Sequence, residues 1–285
     1  IWRVLKYHVD EALKLQDFSD VTGIGGDEYS HRGHNYITVF VSHPDIEVDE
    51  EGKRHQVTKP RVLFTTEGKD KAAVERFLDH FRKKKGEPEA VKVATSDMIH
   101  GFRNAMKVCF PNAVTTVDKF HVVSNCEDAL DKVRRREAAS GGKRKSEALS
   151  NTKYIWLKNE ENLTDKQRKR LEELLQVEYL DTVKAYDMKL KLQDFYSRHK
   201  DYDEKTIFDF ENMALDFCNS TMKEMQKFGE MLVRNAVEIL NYFDTKRTNA
   251  ILEGFNSKIS IIKNRAREFR NMKNFRDDLL LLWRS

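Results

Sequence analysis

The segment Val21–Gly26 (Val-Thr-Gly-Ile-Gly-Gly) decides how this chain folds, because this short apolar run ends directly before an acidic residue, Asp27. Two later runs repeat the arrangement: Val91–Ser96 before Asp97, and Ala113–Val117 before Asp118. A carboxylate at the end of a strand is a fixed point on a rigid sheet. The pattern therefore predicts a sheet on which acids from neighbouring strands converge.

Five strands are predicted from β-branched and aromatic runs bounded by turn residues. They are Val21–Gly26, Tyr36–Val41, Arg61–Thr65, Val91–Ala94 and Val114–Val117. Amphipathic helices are predicted at 70–85 and 99–108, and long helices follow from residue 119 onward. This order of elements predicts an α/β fold, a mixed five-stranded sheet flanked by helices and interrupted by a long all-helical insertion.

Four segments follow from this pattern. Residues 1–20 are predicted to be the helical tail of a missing N-terminal DNA-binding region, an expectation that also rests on the start at Ile1 rather than Met. Residues 21–130 form the first part of the core, 131–243 the helical insertion, and 244–285 the C-terminal helices of the core. Within the insertion, the basic, glycine-containing stretch Arg134–Lys145 is expected to be a mobile loop.

Composition limits the classes of function. The 285 residues carry a net charge of +4 with 39% hydrophobic residues, so the chain can bury a large core and is compatible with nucleic-acid binding. No apolar stretch has the ~20 residues of a membrane span. The three cysteines are scattered and lack Cys-x-x-Cys spacing. This distribution is typical of reduced thiols in the cytoplasm.

The acids indicate a metal site. Each of Asp27 and Asp97 alone is explained by a helix cap or a surface carboxylate. Together, with no basic residue nearby in sequence, they would repel each other unless a cation lay between them. Hard cations such as Mg²⁺ prefer oxygen ligands. Zinc bound through Cys109, His121 and Cys126 is disfavoured, because the usual pairs of ligands are missing.

A further acid, Glu253, lies on a predicted helix beside its apolar stripe. The polar residues at the same helical spacing are Asn249, Glu253, Asn256, Ser260 and Lys263. Glu253 can therefore point into a site, although a solvated position fits the spacing equally well. Asp118 and the nearby His121 form a second possibility. Asp118 is either a metal ligand in place of Asp97 or a residue that orients the ligands, or caps a helix, without binding the metal. We favour the second possibility.

The ordered motifs of the chain resemble the ISL-three family of bacterial insertion-sequence transposases. The resemblance runs from about Asp17 to the C-terminus and rests on Asp27–Ser30, Ser96–Met98, Phe110–Ala113, Asp118–Val122, Tyr154–Lys158 and Asn249–Ile259. It implies an RNase H-like catalytic domain of the DDE type. By matching motif it also implies that Asp27, Asp97 and Glu253 are the catalytic acids and hold two Mg²⁺ or Mn²⁺ ions.

The resemblance further implies cleavage at transposon ends and strand transfer into target DNA by a cytoplasmic, nucleoid-associated bacterial enzyme. It implies that DNA is the partner, with a homodimer in the DNA complex and no membrane. Alternatives are an RNase H-like nuclease or resolvase that cuts without joining, a catalytically idle DNA-binding derivative, and a purely structural helical protein. The acids disfavour the last of these.

Basic residues near the acids are candidates for phosphate contacts. The set comprises Lys258, Lys263, Arg265, Arg267, Arg270, Arg134, Arg135 and Arg136. Trp156 could stack on an extruded base. The interpretation that we favour for Trp156 is a core position beside Leu157 and Leu163.

Overall fold

The computed structural model describes residues 7–8, 11, 13–32, 35–49, 51, 53–96, 100–177 and 179–247. The chain divides into two compact units. We call the first, Ile1–Asp118 with Thr245–Ser285, the sheet unit, and the second, Lys119–Asp244, the helical unit.

A five-stranded mixed sheet forms the centre of the sheet unit. Its strands stand in the order β5-β2-β1-β6-β7. The bounds are β1 Gly23–Arg32, β2 Asn35–Ser42, β5 Val62–Glu67, β6 Val93–Ser96 and β7 Val114–Val117. Strands β1, β2 and β5 pair antiparallel, whereas β6 and β7 add in parallel to β1. The predicted mixed α/β fold of RNase H-like type, with all five predicted strands, is confirmed.

A two-stranded ribbon was not predicted. Strands β3 (Ile46–Val48) and β4 (Arg54–Gln56) pair antiparallel beyond the end of β2. The intervening residues are rich in charge, and each strand has only three residues. The alternation that identifies a strand in sequence is therefore too short to detect here.

Two helices cover one face of the sheet. Helix α1 spans Lys71–Lys83 and α2 spans His100–Cys109, with a 3₁₀ turn at Pro88–Ala90 between them. Asp70 caps α1 by accepting a hydrogen bond from the backbone N–H of Ala73. Buried aromatic side chains of both helices, of β2 and of the adjoining loops form the core on this face; they are Phe18, Phe40, Phe77, Phe81, Phe102 and Phe110.

Gly26 lets α2 approach the sheet closely. A Cβ atom at Gly26 would lie 2.8 Å from Cζ of Phe102 and 3.3 Å from Cε1 of Phe40. Both contacts are closer than ordinary packing allows. The absence of a side chain at Gly26, directly before Asp27, therefore allows the Phe102 ring to pack against β1 next to the predicted acid.

The helical unit consists of eight helices among the described residues. They are α3 Lys119–Ser140, α4 Gly142–Leu149, α5 Lys153–Leu157, α6 Asp165–Leu175, α7 Asp181–Arg198, α8 Glu204–Cys218, α9 Lys223–Arg234 and α10 Ala236–Thr245, whose last residue belongs to the sheet unit. No helix in the described part of the chain is long and apolar enough to cross a membrane.

The expectation that Arg134–Lys145 is a mobile loop is wrong. Helix α3 continues through Ser140, and α4 begins at Gly142, whose φ of 75° allows the sharp turn between them. The carboxylate of Glu137 accepts a hydrogen bond from Nζ of Lys145 at 2.7 Å across that turn. The glycines therefore mark a break between two helices, and a buried ion pair closes the break.

Trp156 belongs to the interior of the helical unit. Its side chain is fully buried, and the indole N–H donates to Oγ1 of Thr152 at 3.1 Å. The ammonium group of Lys189, also fully buried, donates to the carbonyl oxygens of Trp156 and Leu157 at 3.0 and 2.9 Å. A positive charge at these carbonyls stabilises the C-terminal end of α5. In this arrangement neither face of the Trp156 ring is open to a nucleic-acid base.

Candidate active site

Three parallel strands end their pairing on one row of the sheet. Gly26 of β1 pairs with Ser96 of β6, and Ser96 pairs in turn with Val117 of β7. The next residue along each of these strands is an acid: Asp27, Asp97 and Asp118. Asp97 lies outside the described residues. The register therefore places Asp27 and Asp118 one residue beyond the same pairing row, although they lie far apart in the sequence.

Asp27 does not close a strand, contrary to the expectation from sequence. Strand β1 continues to Arg32, and Asp27 stands opposite Val39 of β2. The antiparallel pairing of β1 with β2 continues to Arg32, whereas the described parallel pairing of β1 with β6 reaches Gly26, one residue before Asp27. Its side chain is only 9% exposed, and its Oδ1 accepts the backbone N–H of Glu28 at 2.8 Å.

Asp27 shares its face of the sheet with two buried hydroxyls. Side chains alternate along a strand, so Asp27 faces the same side as Gly25, which is in register with Thr95 and, through it, with Thr116. The hydroxyls of Thr116 and Thr245 are hydrogen-bonded at 3.2 Å. At Thr245 the chain therefore contacts the sheet on the Asp27 side.

A second contact holds this returning segment. Nη1 of Arg247 donates to the carbonyl oxygen of Pro44, two residues after β2, at 2.6 Å. Six residues separate Arg247 from Glu253 in the sequence (253 − 247), and Glu253 lies outside the described residues. The described part of the segment thus enters the sheet unit shortly before the third predicted acid.

Asp118 and His121 fall on opposite sides of the division between the two units. Asp118 closes the sheet unit and is fully buried. His121 lies in the first turn of α3 in the helical unit and is half-buried. Whether Asp118 is a ligand or supports the ligands from behind stays a prediction.

Two buried basic residues near the row escaped the sequence analysis. His43 is 5% exposed, and its Nε2 is hydrogen-bonded to Oγ1 of Thr95 at 2.7 Å. Burial, and then the charge of Arg247, lower the pKa of His43 to about 3, so the ring is neutral near pH 7. Arg103 on α2 is buried at 4% exposure. Arg103 follows Asp97 by six positions (103 − 97). The expectation that no basic residue lies near the acids in sequence is therefore wrong.

The predicted basic contacts divide into two groups. Lys258, Lys263, Arg265, Arg267 and Arg270 lie outside the described residues. Arg134 and Arg135 both pair with Asp131, and Arg136 pairs with Glu224 and Asp181. Binding of DNA by the second group would compete with these internal ion pairs. Their role in DNA binding stays a prediction.

A hard divalent cation fits the chemistry of this row. Within the described ranges no three His, Cys, Asp or Glu residues come together to hold a metal ion, and Asp97 and Glu253 lie outside those ranges. The polar side chains that the described strands bring to the end of the parallel pairing carry oxygen: Asp27, Thr95, Ser96, Thr116 and Asp118. Oxygen donors suit Mg²⁺ and are a poor match for softer metals.

Comparisons with known proteins bear on this site. A family model for DDE transposases of the ISL-three type, described as a transposase, matches residues 24–279. The transposase for insertion sequence element IS1001 of Bordetella parapertussis is 25% identical over 275 residues, which cover 95% of this chain and 63% of that protein. The transposase for insertion sequence element IS1557 of Mycobacterium tuberculosis is 23% identical over 294 residues, covering 94% of this chain and 61% of that protein. The chain thus spans about three fifths of the length of these relatives.

Proposed function

The chain belongs to the ISL-three family of DDE transposases, and from this premise we propose that it is a catalytic region that cleaves DNA at transposon ends and joins it to target DNA. The proposed catalytic residues are Asp27, Asp97 and Glu253. The proposed partner is DNA, bound by a homodimer that brings two transposon ends together.

One observation carries the proposal. The pairing row Gly26–Ser96–Val117 is followed by an acid on all three strands. Continuation of the same register by one residue would set Asp97 directly beside Asp27, on the face of the sheet that Thr95 and Thr116 share. Adjacent strands lie about 4.8 Å apart, which is the separation at which two carboxylates can share a cation.

The third acid is expected from the C-terminal part of the chain. The contacts of Thr245 with Thr116 and of Arg247 with Pro44 support this expectation, because they bring the chain to the correct side of the sheet. A segment of six residues spans about 9 Å as a helix and about 20 Å when extended. The proposal requires that this segment place Glu253 near Asp27.

Asp27, Asp97 and Glu253 would hold the metal ions and would thereby orient the reacting phosphodiester. Two bound Mg²⁺ ions would supply activation of the attacking hydroxyl and neutralisation of the charge on the leaving oxygen. Asp27 is suited to be a fixed ligand, because burial and the N–H of Glu28 restrict the positions of its carboxylate. Asp97 and Glu253 would supply the other two carboxylates. Asp118, fully buried on the next strand, would support Asp97 from behind.

A strand-transfer assay tests whether cutting is coupled to joining. Purified protein is incubated with Mg²⁺, a pre-cleaved transposon end with a free 3′-hydroxyl, and a supercoiled target plasmid. We expect the labelled end to become covalently attached to the plasmid, because the same acids can activate a water or a DNA hydroxyl.

The control reaction uses an end that carries a 3′-dideoxy nucleotide and cannot join. Cutting of uncleaved ends without any joining of free ends would replace the proposal with a nuclease or resolvase. DNA binding without either reaction would identify a catalytically idle derivative.

A further inference from the structure

A groove of about 580 Å³ lies between α3 and α9 within the helical unit. Its floor is apolar and comprises Ala129, Phe228 and Met231. Three lysines from the two helices line it: Lys132 from α3, with Lys223 and Lys227 from α9. The spacing of four residues on α9 puts Lys223 and Lys227 on one side of that helix, about 6 Å apart along its axis.

These lysines are available to a partner. All three are exposed, and none forms an ion pair with another residue in the part of the chain that the structure describes. The arginines of the same helix differ, because Arg134 and Arg136 are already paired with carboxylates inside the unit. The groove, rather than the arginine run, therefore presents the free positive charge of this region.

We propose that the groove between α3 and α9 binds the phosphate backbone of duplex DNA. The inference rests on the proposed function only in that the protein handles DNA, and it assigns a second contact surface apart from the acids. Ammonium groups on long stems contact phosphate oxygens without reading bases. The groove would therefore position DNA in a way that is independent of its sequence.

Two acidic residues also line the groove, and one of them provides a second way to test the proposal. Glu224 is engaged by Nε of Arg136 at 2.9 Å, so its charge is balanced within the unit. Asp128 is exposed and has no ion-pair partner in the described ranges. Its negative charge opposes phosphate binding. Removing that charge should strengthen binding, which no merely structural role of the lysines would predict.

The test compares two triple variants of the purified protein that remove the same charge. The groove variant is Lys132→Gln/Lys223→Gln/Lys227→Gln. The control variant, Lys166→Gln/Lys169→Gln/Lys205→Gln, changes three exposed lysines of the helical unit that have no ion pair among the described residues and lie outside the groove. Affinity for a fluorescent 30-base-pair duplex of random sequence is measured by anisotropy between about 50 and 200 mM salt, in the absence of divalent metal.

We expect the groove variant to bind at least tenfold more weakly at 100 mM salt and to lose about two to three units from the slope of log K against log salt. The control variant should change affinity less than threefold, and Asp128→Asn should raise it. Equal losses in the two triple variants, or an unchanged slope, would overturn the assignment. If only the assignment of the groove is wrong, the wild type will still join DNA in the strand-transfer assay. A wild type that neither binds nor joins DNA would overturn the proposed function as well.

Discussion

His43 is a buried neutral imidazole that ties two strands together. It follows β2 directly, and its ring packs over Gly23 of β1, where a Cβ atom would lie 3.0 Å from Cβ of His43. The hydrogen bond between Nε2 of His43 and Oγ1 of Thr95 links the end of β2 to β6 across β1. Burial disfavours the protonated, positively charged form of this ring. The free energy of unfolding should therefore depend on pH in the acidic range.

The free energy of unfolding is expected to fall as pH falls below about 6.5. The pKa of His43 drops from 6.5 to about 3 on folding, so the unfolded chain takes up a proton that the folded chain excludes. The stabilisation is complete above pH 6.5 and is lost progressively toward pH 3, by up to about 1.4 kcal/mol per pH unit. His80, whose pKa is lowered to about 4, acts in the same direction.

Urea unfolding at pH 7.5 and at pH 5.0 measures this effect. The loss of stability between the two values should be about 1 to 2 kcal/mol smaller in His43→Gln than in the wild type, because glutamine does not titrate. His8→Gln, at an exposed position, serves as the matched control and should keep the wild-type difference. The same pH dependence in His43→Gln and in the wild type would contradict the account.

For single residues, the sequence predicts which side chains are candidates for the site better than it predicts which polar side chains are buried. Asp27 and Asp118 attract attention because each follows an apolar run, and both prove to be buried at the end of the parallel pairing. His43 and Arg103 carry no such signal. Only the packing of β1 against β6 and the close approach of α2 to Gly26 make them buried.

Among the helices, Glu137 joins three elements of the helical unit. Its carboxylate, 3% exposed on α3, accepts the backbone N–H groups of Asp181 and Thr182 and the hydroxyl of Thr182. It thereby caps α7, whose own N-cap residue, Leu180, makes no side-chain capping hydrogen bond. Lys145 of α4 donates to the same carboxylate. Although burial raises the pKa of Glu137, the hydrogen bonds from Lys145 and Thr182 outweigh burial and lower it.

Truncation of Glu137 is expected to destabilise the protein by about 3 kcal/mol, because it leaves buried N–H groups and an ammonium group without their acceptor. The measurement is chemical unfolding of Glu137→Ala followed by circular dichroism at 222 nm. Glu173→Ala is the matched control, since Glu173 is exposed and, among the described residues, pairs with Arg170 alone; it should cost less than about 1 kcal/mol. Similar losses in the two variants would show that Glu137 has no special role.

The boundaries of elements were less predictable than their existence. All five sheet strands follow from local apolar runs, yet the end of β1 depends on its partner β2, which extends the strand six residues beyond Gly26 (32 − 26). The turn near Gly141 resembles a loop in sequence because its glycines and basic residues are typical of loops. The pairing of Glu137 with Lys145 depends on the packed helices, and no local pattern reports it.

For the molecule as a whole, both proposed sites consist of residues that come from distant segments of the chain. Asp27 and Asp118 are 91 residues apart (118 − 27) and are related by the sheet register, whereas Lys132 and Lys227 are 95 residues apart (227 − 132) and line one groove. Motif order identifies the family, and the catalytic acids are proposed from the matching motifs. The lysine groove has no motif, because it forms only when α3 packs against α9.

The central claim is that Asp27, Asp97 and Glu253 act together in catalysis, and Mg²⁺-dependent cleavage of a labelled transposon end tests it most directly. Asp27→Asn, Asp97→Asn and Glu253→Gln are compared with the wild type and with Glu172→Gln, an exposed control on α6. DNA binding is measured in parallel by electrophoretic mobility shift.

We expect each of the three variants to lose cleavage by at least about a thousandfold, equal to about 4 kcal/mol of activation free energy, while DNA binding and the control stay near the wild type. Cleavage by any one of the three variants at a rate close to that of the wild type would contradict the account.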